Sequence, residues 1–173
     1  MTTTRILSPD AIAATAPTLG AILADCTETG ASVGFLRGLT HERAALFWRD
    51  VAAKARDDGR AVIVAEADDV ILGVVQVVPA GPENQPHRAD VSKMLVSSSA
   101  RRRGVGAALM EAAHEAARDM GKTMLVLDTQ EHSDAERLYQ RMGWTRAGVL
   151  PDYAIGGEGV PIATVLYWKR IDL

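Results

Sequence analysis

Arg101-Arg102-Arg103-Gly104-Val105-Gly106 places three cations and two glycines where an apolar run ends and an amphipathic run begins. The first N–H groups of a helix have no partner within it, and the helix dipole adds partial positive charge there. Glycines let a ligand approach the backbone, and the arginines add formal charge. Such a turn suits a phosphorylated anion. Two familiar phosphate motifs do not fit. The dinucleotide fingerprint needs glycine or alanine where Leu109 stands. A P-loop reading of Gly121-Lys122-Thr123 needs glycine at Ala116, and that segment follows a helix where it should precede one. The plainer reading is a solvated basic turn at a glycine-relieved helix start.

Asp128 ends the apolar run of "TMLVLDT", where a carboxylate either serves chemistry or is a cap or solvated strand end. Asp90 lies in "RADVSKMLV", and strand alternation puts Asp90, Ser92, Met94 and Val96 on one face. Glu66 and Glu131 read as surface carboxylates. His41-Glu42 and His114-Glu115 both fail to complete H-E-x-x-H, and Cys26 is the only cysteine, so no metal site is expected.

These residues need elements to hold them. "TRIL" reads as a first strand, and Ser8 caps a helix through Cys26 with Pro9 at its first position. "TETGASVGF" is a loop. Thr40 caps a second helix over His41–Asp58, with Leu46, Phe47, Val51 and Ala55 at helical spacing. "AVIVAE" and "VILGVVQVVP" form a hairpin about "ADD". After the strand at "RADVSKMLV" comes the helix opened at Gly104, with Val105, Ala108, Leu109, Ala112, Ala116 and Met120 on one face, stopped by Gly121. A strand at "TMLVLDT", a helix capped by Ser133 and two strands about "IGGEG" close the chain. The order is β-α-α-β-β-β-α-β-α-β-β, an α/β arrangement about one mostly antiparallel sheet.

Arg101-x-x-Gly104-x-Gly106, after a strand and opening a helix, resembles the acetyl-CoA signature of the GNAT N-acetyltransferases. The element order is similar to theirs, and "AERLYQRMGW" resembles their A-x-x-L-Y-x-x-x-G-F segment. A closer likeness, over "GASVGF", "RADVSKMLV", "SARRRGVG", "LDT" and "YQRMGWTRAGVLPDY", is to a toxin-resistance member with a small amino-acid-like acceptor. The resemblance implies one N-acetyltransferase domain over residues 1–173, with about seven strands and four helices. It implies acetyl-CoA along Met94, Leu95 and Val96 and over the turn Arg101, Arg102, Arg103, Gly104, Val105, Gly106 and Ala107. It makes Tyr139 the candidate acid for the leaving thiolate, since a phenol of pKa about 10 keeps a proton to give; otherwise Tyr139 reads as a packed helix residue. Asp90 or Asp128 is the candidate base, directly or through water, and Asp128 also a ligand for the acceptor's ammonium. His132 stands where many members have an asparagine that binds the cofactor arm, which weakens that contact; as a loop histidine it is also a lesser candidate base. Ser32 and Phe35 of "GASVGF" are candidate acceptor contacts.

Composition bounds the rest. The chain has 173 residues, 47% hydrophobic and 24% charged, enough for a real core. A net charge of −3 argues against a nucleic-acid binder. No run is long and apolar enough to span a membrane, and "MTTTRILSPD" lacks a signal-peptide core, so a cytoplasmic protein is expected. A small-molecule amine is the expected partner, with a protein N-terminus or lysine, or non-catalytic acyl-CoA sensing, as other readings. The apolar final strand "VPIATVLYW" offers a candidate edge for a homodimer.

Overall fold

The computed structural model describes residues 1–172. β1 (Thr3–Leu7) leads into α1 (Pro9–Glu28), whose N-cap Ser8 accepts a hydrogen bond from the Ala11 amide at 3.2 Å. α2 (His41–Lys54) begins in the same way, with Thr40 accepting from Arg43. β2 (Ala61–Ala67) and β3 (Val70–Pro79) form the expected hairpin. Its two turn residues, Asp68 and Asp69, have φ of 50° and 61°, the left-handed pair that matches strand twist. β4 (Arg88–Val96), α3 (Val105–Asp119) and β5 (Met124–Gln130) make a parallel crossover. α4 (Asp134–Arg141), β6 (Thr145–Ile155) and β7 (Pro161–Arg170) complete the expected order.

The seven strands run β1-β2-β3-β4-β5-β7-β6, and only β4–β5 is parallel. α1 and α2 cover one face, where Leu19, Leu23 and Trp48 pack on Val62, Val64, Val74 and Leu95. α3 and α4 cover the other, where Leu109, Met110, Tyr139 and Trp144 pack on Ile63, Val75, Val91, Leu127 and Val165. The two helices of the first layer meet closely at Gly20. A Cβ there would stand 2.7 Å from the Ala45 amide nitrogen and 3.0 Å from its Cα, both backbone atoms that cannot swing aside. Gly20→Ala is therefore expected to cost roughly 3 kcal/mol by overpacking. Thermal melting should show a drop of about 6–12 °C for a chain of this size.

Four expectations need correction. α2 ends at Lys54, because Asp58 turns to hold Arg60 through its backbone and guanidinium. Leu46 is 49% exposed and lies off the buried stripe of Ala44, Ala45, Trp48, Val51 and Ala52. The inner face of α3 is rotated toward Met110, Ala113 and Ala117, leaving Ala108 and Ala112 only partly buried. The final strand β7 lies between β5 and β6, so both its edges are hydrogen-bonded and neither is free for a second copy.

His114 of α3 is 7% exposed, packs against Trp144 at 5.7 Å, and has no hydrogen-bond partner for Nε2. Burial first, then Lys169 and Arg118, lowers its pKa to about 4. The unfolded chain takes up this proton near pH 6.5, but the folded chain holds off until about 4. Stability is thus lost as pH falls through that window and levels off below it. The expected contribution is about 2 kcal/mol between pH 7.5 and 5, at 1.4 kcal/mol per pH unit. His114→Met should flatten that part of the melting-temperature profile.

Candidate active site

β4 and β5 pair only at Arg88↔Met124, Ala89↔Leu125 and Asp90↔Val126. Beyond that point β4 stays bonded to β3 and β5 to β7, so the two central strands part. The β5-facing backbone edge of β4 from Val91 to Val96 has no sheet partner, and buried peptide groups require one. An extended ligand with amide groups fits that need.

Within this stretch β4 carries a bulge. Val74 pairs with Leu95 and Gln76 with Ser92, so Val75 alone opposes both Lys93 and Met94. Lys93 takes φ of 51°. The bulge breaks the expected alternation: Leu95 enters the α1–α2 core, whereas Met94 and Val96 pack on the α3–α4 side. Asp90, Ser92, Met94 and Val96 therefore do not share a face. Val91 points to the α3–α4 core and fixes Asp90 and Ser92 on the opposite side. The extra residue depends on the pairing with β3, which local period cannot reveal.

The turn after β4 is tied down by α1. Asp25 accepts hydrogen bonds from the Ser98 amide at 2.7 Å and its hydroxyl at 2.8 Å, holding a 3-10 turn at Ser98–Ala100. Arg101 folds back over the surface, donating to Thr29 Oγ1 at 2.7 Å and to the Val96 carbonyl at 3.4 Å. Its guanidinium thus braces the turn, and all three arginines are exposed. Arg102 and Gly104 have φ of 62° and 82°, and no side chain caps the start of α3. Left-handed residues at such spacing turn successive amides to one side, as anion-binding nests do. The two glycines have different reasons. Gly104 is needed for its φ. Gly106 faces inward, where a Cβ would be 3.1 Å from Leu138 Cδ2, so it lets α3 approach α4.

Tyr139 of α4 is 5% exposed, with ring neighbours Trp144 at 6.0 Å and Tyr167 at 6.4 Å. Burial, with the Asp128 charge second, pushes its pKa well above the usual phenol range. Tyr167 is tied differently: it donates to Glu136 Oε1 and accepts from Gln140 Nε2, each at 2.9 Å. Glu136 also accepts from the His132 amide at 2.6 Å, and Ser133 caps the Glu136 amide at 3.1 Å. These two bonds fix the start of α4 and so the position of Tyr139.

Asp128 stands exposed on β5, on the face opposite Leu127, and accepts from Thr164 Oγ1 at 3.3 Å. Its charge acts to raise the pKa of both Tyr139, which is buried on the α3–α4 side, and Lys93, which lies on the same α1–α2 side as Asp128. Lys93 is partly buried. Its Nζ lies 5.6 Å from the Phe47 ring centroid and 3.7 Å from where a Gly34 Cβ would be. Phe35 meets Phe47 edge-on at 5.4 Å, which links the 29–40 loop to the site. Ser32 is partly buried in the same loop. Asp90, at the root of the opening, is held by Arg88 at 2.6 Å. His132 has its side chain 87% exposed and a φ of 64°. Glu66 and Glu131 pair with Arg5 and Arg146, as surface carboxylates do.

Sequence reasoning missed Lys93, whose one visible signal is a lysine inside an otherwise apolar strand end. It also missed a clasp between the 29–40 loop and the β6–β7 hairpin, made by Arg37 and Glu158. Gly157 permits it, since a Cβ would sit 2.9 Å from Arg37 Nε. A cavity of about 140 Å³ lies beneath, lined in part by Arg37, Gln130, Gly156 and Ile162. Among the described residues no cluster of three or more His, Cys, Asp or Glu could hold a metal, and no helix is long and apolar enough to cross a membrane.

The fold has many relatives. A Brucella melitensis ribosomal-protein-alanine N-acetyltransferase superposes with a TM-score of 0.81 at 23% identity, covering 98% of this chain and 99% of that one. Salmonella typhimurium yncA, solved with its cofactor acetyl-CoA, gives 0.82 at 17% identity, covering 100% and 95%. Human N-acetyltransferase 8 is 33% identical over 87 residues, which are 49% of this chain and only 38% of that protein. The model of the Acetyltransferase (GNAT) family matches residues 21–144. With that match over most of its length, on a sheet that parts beside a basic glycine turn, the chain belongs to the GNAT family of acetyltransferases.

Proposed function

We propose that residues 1–173 form one domain that transfers acetyl from acetyl-CoA to the amine of a small acceptor: an amino-acid-like metabolite, toxin or antibiotic. The observation that carries this reading is the parting of β4 from β5 after Asp90↔Val126, which leaves an unpaired β4 edge beside the Arg101–Gly106 turn and just short of Asp128. When bound, acetyl-CoA supplies an activated acyl group. The backbone of Met94, Leu95 and Val96 would hold its amide-bearing arm. The amides of Arg102, Arg103, Gly104, Val105, Gly106 and Ala107 would hold its pyrophosphate, with Arg101 bracing the turn. A free N–H of the β4 edge would stabilise developing negative charge on the acyl oxygen.

Tyr139 keeps its proton through neutral pH and donates it to the departing sulfur. Asp128 attracts the acceptor's ammonium and accepts a proton from it. Asp90 is the alternative base, less free because Arg88 engages it. His132, exposed at the start of α4, is the lesser candidate base and a cofactor contact. Ser32 and Phe35 belong to the loop on the acceptor side. The segments that resemble the tabtoxin resistance acetyltransferase include "LDT" and "YQRMGW", and support a small polar acceptor. One cysteine and the net charge of −3 fit a cytoplasmic protein that binds no nucleic acid.

The test is thiol release from acetyl-CoA across small amines, amino acids, amine antibiotics and short peptides. Turnover with a small amine supports the reading. Turnover with peptides alone makes the acceptor a protein. Binding of acetyl-CoA with no turnover makes the chain a sensor.

A further inference from the structure

Lys93 has a placement that holding the acetyl donor does not explain. It is the bulge residue of β4, in a left-handed conformation that a lysine adopts only at a cost. The consequence of that conformation is its side chain's position, across the Phe47 ring and beneath Gly34, on the α1–α2 side of the sheet. Among the described residues no carboxylate comes within ion-pairing distance of its Nζ. The Asp128 charge is felt there, but the two make no ion pair, and the Thr164 hydroxyl beside Asp128 is shared with the Thr129 carbonyl at 2.9 Å. A partly buried ammonium without a counter-ion is costly, and a ring face compensates only in part.

One cation and one anion thus lie on the same side of the sheet, on the two strands that part, without bonding each other. Their natural complement is a molecule carrying both charges, with its ammonium toward Asp128 and an anionic group toward Lys93. An amine lacking the anionic group would instead meet a like charge. We propose that Lys93 anchors the carboxylate of the acceptor, and that the preferred acceptors are amino acids or close amino-acid analogues. The proposal rests on the transferase reading above and narrows its acceptor class. Lys93 acts here on binding and selection; the proton transfers remain with Asp128 and Tyr139. Phe35, edge-on to Phe47, fixes the ring that holds the ammonium in place.

The experiment compares amino acids with their decarboxylated amines and their methyl esters as acceptors, by thiol release. It uses the full chain, Lys93→Met and Lys93→Arg, with acetyl-CoA affinity measured calorimetrically for each. The wild-type chain should favour the free amino acid in kcat/KM by about 10- to 100-fold, the scale of a charge-assisted hydrogen bond. Lys93→Met should abolish that preference mainly through KM, with acetyl-CoA affinity unchanged, and Lys93→Arg should keep part of it. Equal use of amine and amino acid by the wild-type chain overturns the anchor while leaving the transferase intact. So does a preference that survives in Lys93→Met. Should Lys93→Met fail to fold, the wild-type comparison decides alone. Bound acetyl-CoA with no thiol release for any acceptor overturns the transferase reading, and the anchor with it.

Discussion

Tyr139→Phe is expected to lower kcat by about 10²- to 10⁴-fold, the usual worth of a positioned general acid, while acetyl-CoA affinity stays within a few-fold of wild type. The structure makes this variant clean. The ring's work in the core, against Trp144 and Tyr167, is kept by phenylalanine. The hydroxyl takes no part in the Glu136–Tyr167–Gln140 bonds that hold this region together. Melting temperature should therefore barely move, and any loss of rate reports the proton. The sign of the pKa shift matters as well. An acid works in its protonated form, and burial together with Asp128 raises the phenol's pKa. Tyr139 should thus remain protonated throughout neutral and mildly alkaline pH and impose no falling limb there. A variant with wild-type kcat would reduce Tyr139 to a packing residue. Steady-state rates against pH, with paired calorimetry, make the measurement.

Asp128→Asn is expected to lower kcat/KM by about 10²- to 10³-fold, because it removes both the acceptor's counter-charge and the favoured base. Asparagine can still accept from Thr164, so β5 and β7 should stay in register. The electrostatic consequences reach further. The Asp128 charge raises the proton affinity of both Tyr139 and Lys93, so its loss eases deprotonation of each. Asp90→Asn is the companion variant. It breaks the Arg88 pair at the root of the opening and should cost less activity than Asp128→Asn. The reverse ranking would transfer the role of base to Asp90.

What could be read in advance divides along physical lines. Caps are local chemistry, and Ser8, Thr40 and Ser133 each accept the bond that their position implies. The hairpin at Asp68–Asp69 and the stop at Gly121 are local too. Element order followed, because periodicity changes cleanly between strand and helix. The parting of β4 from β5 and the position of β7 inside the sheet were not legible, since both depend on which strands pair. The bulge at Lys93–Met94 hid for the same reason and misplaced the faces of Met94 and Val96. The bond from Arg101 to Thr29, a residue distant in sequence, was likewise invisible in the turn itself. Gly106 has a second use that its neighbours in sequence do not reveal, room for Leu138. The chemistry-bearing types were visible; their facing and partners required the fold.

The most direct test of the central claim, that the opening beside the Arg101–Gly106 turn holds acetyl-CoA, is calorimetric titration of acetyl-CoA into the wild-type chain. Saturable one-to-one binding, weakened by added salt as expected for a pyrophosphate on a basic turn, is the expected result. Absence of saturable binding would contradict it, leaving the turn as a solvated helix start and the parted strands without their ligand.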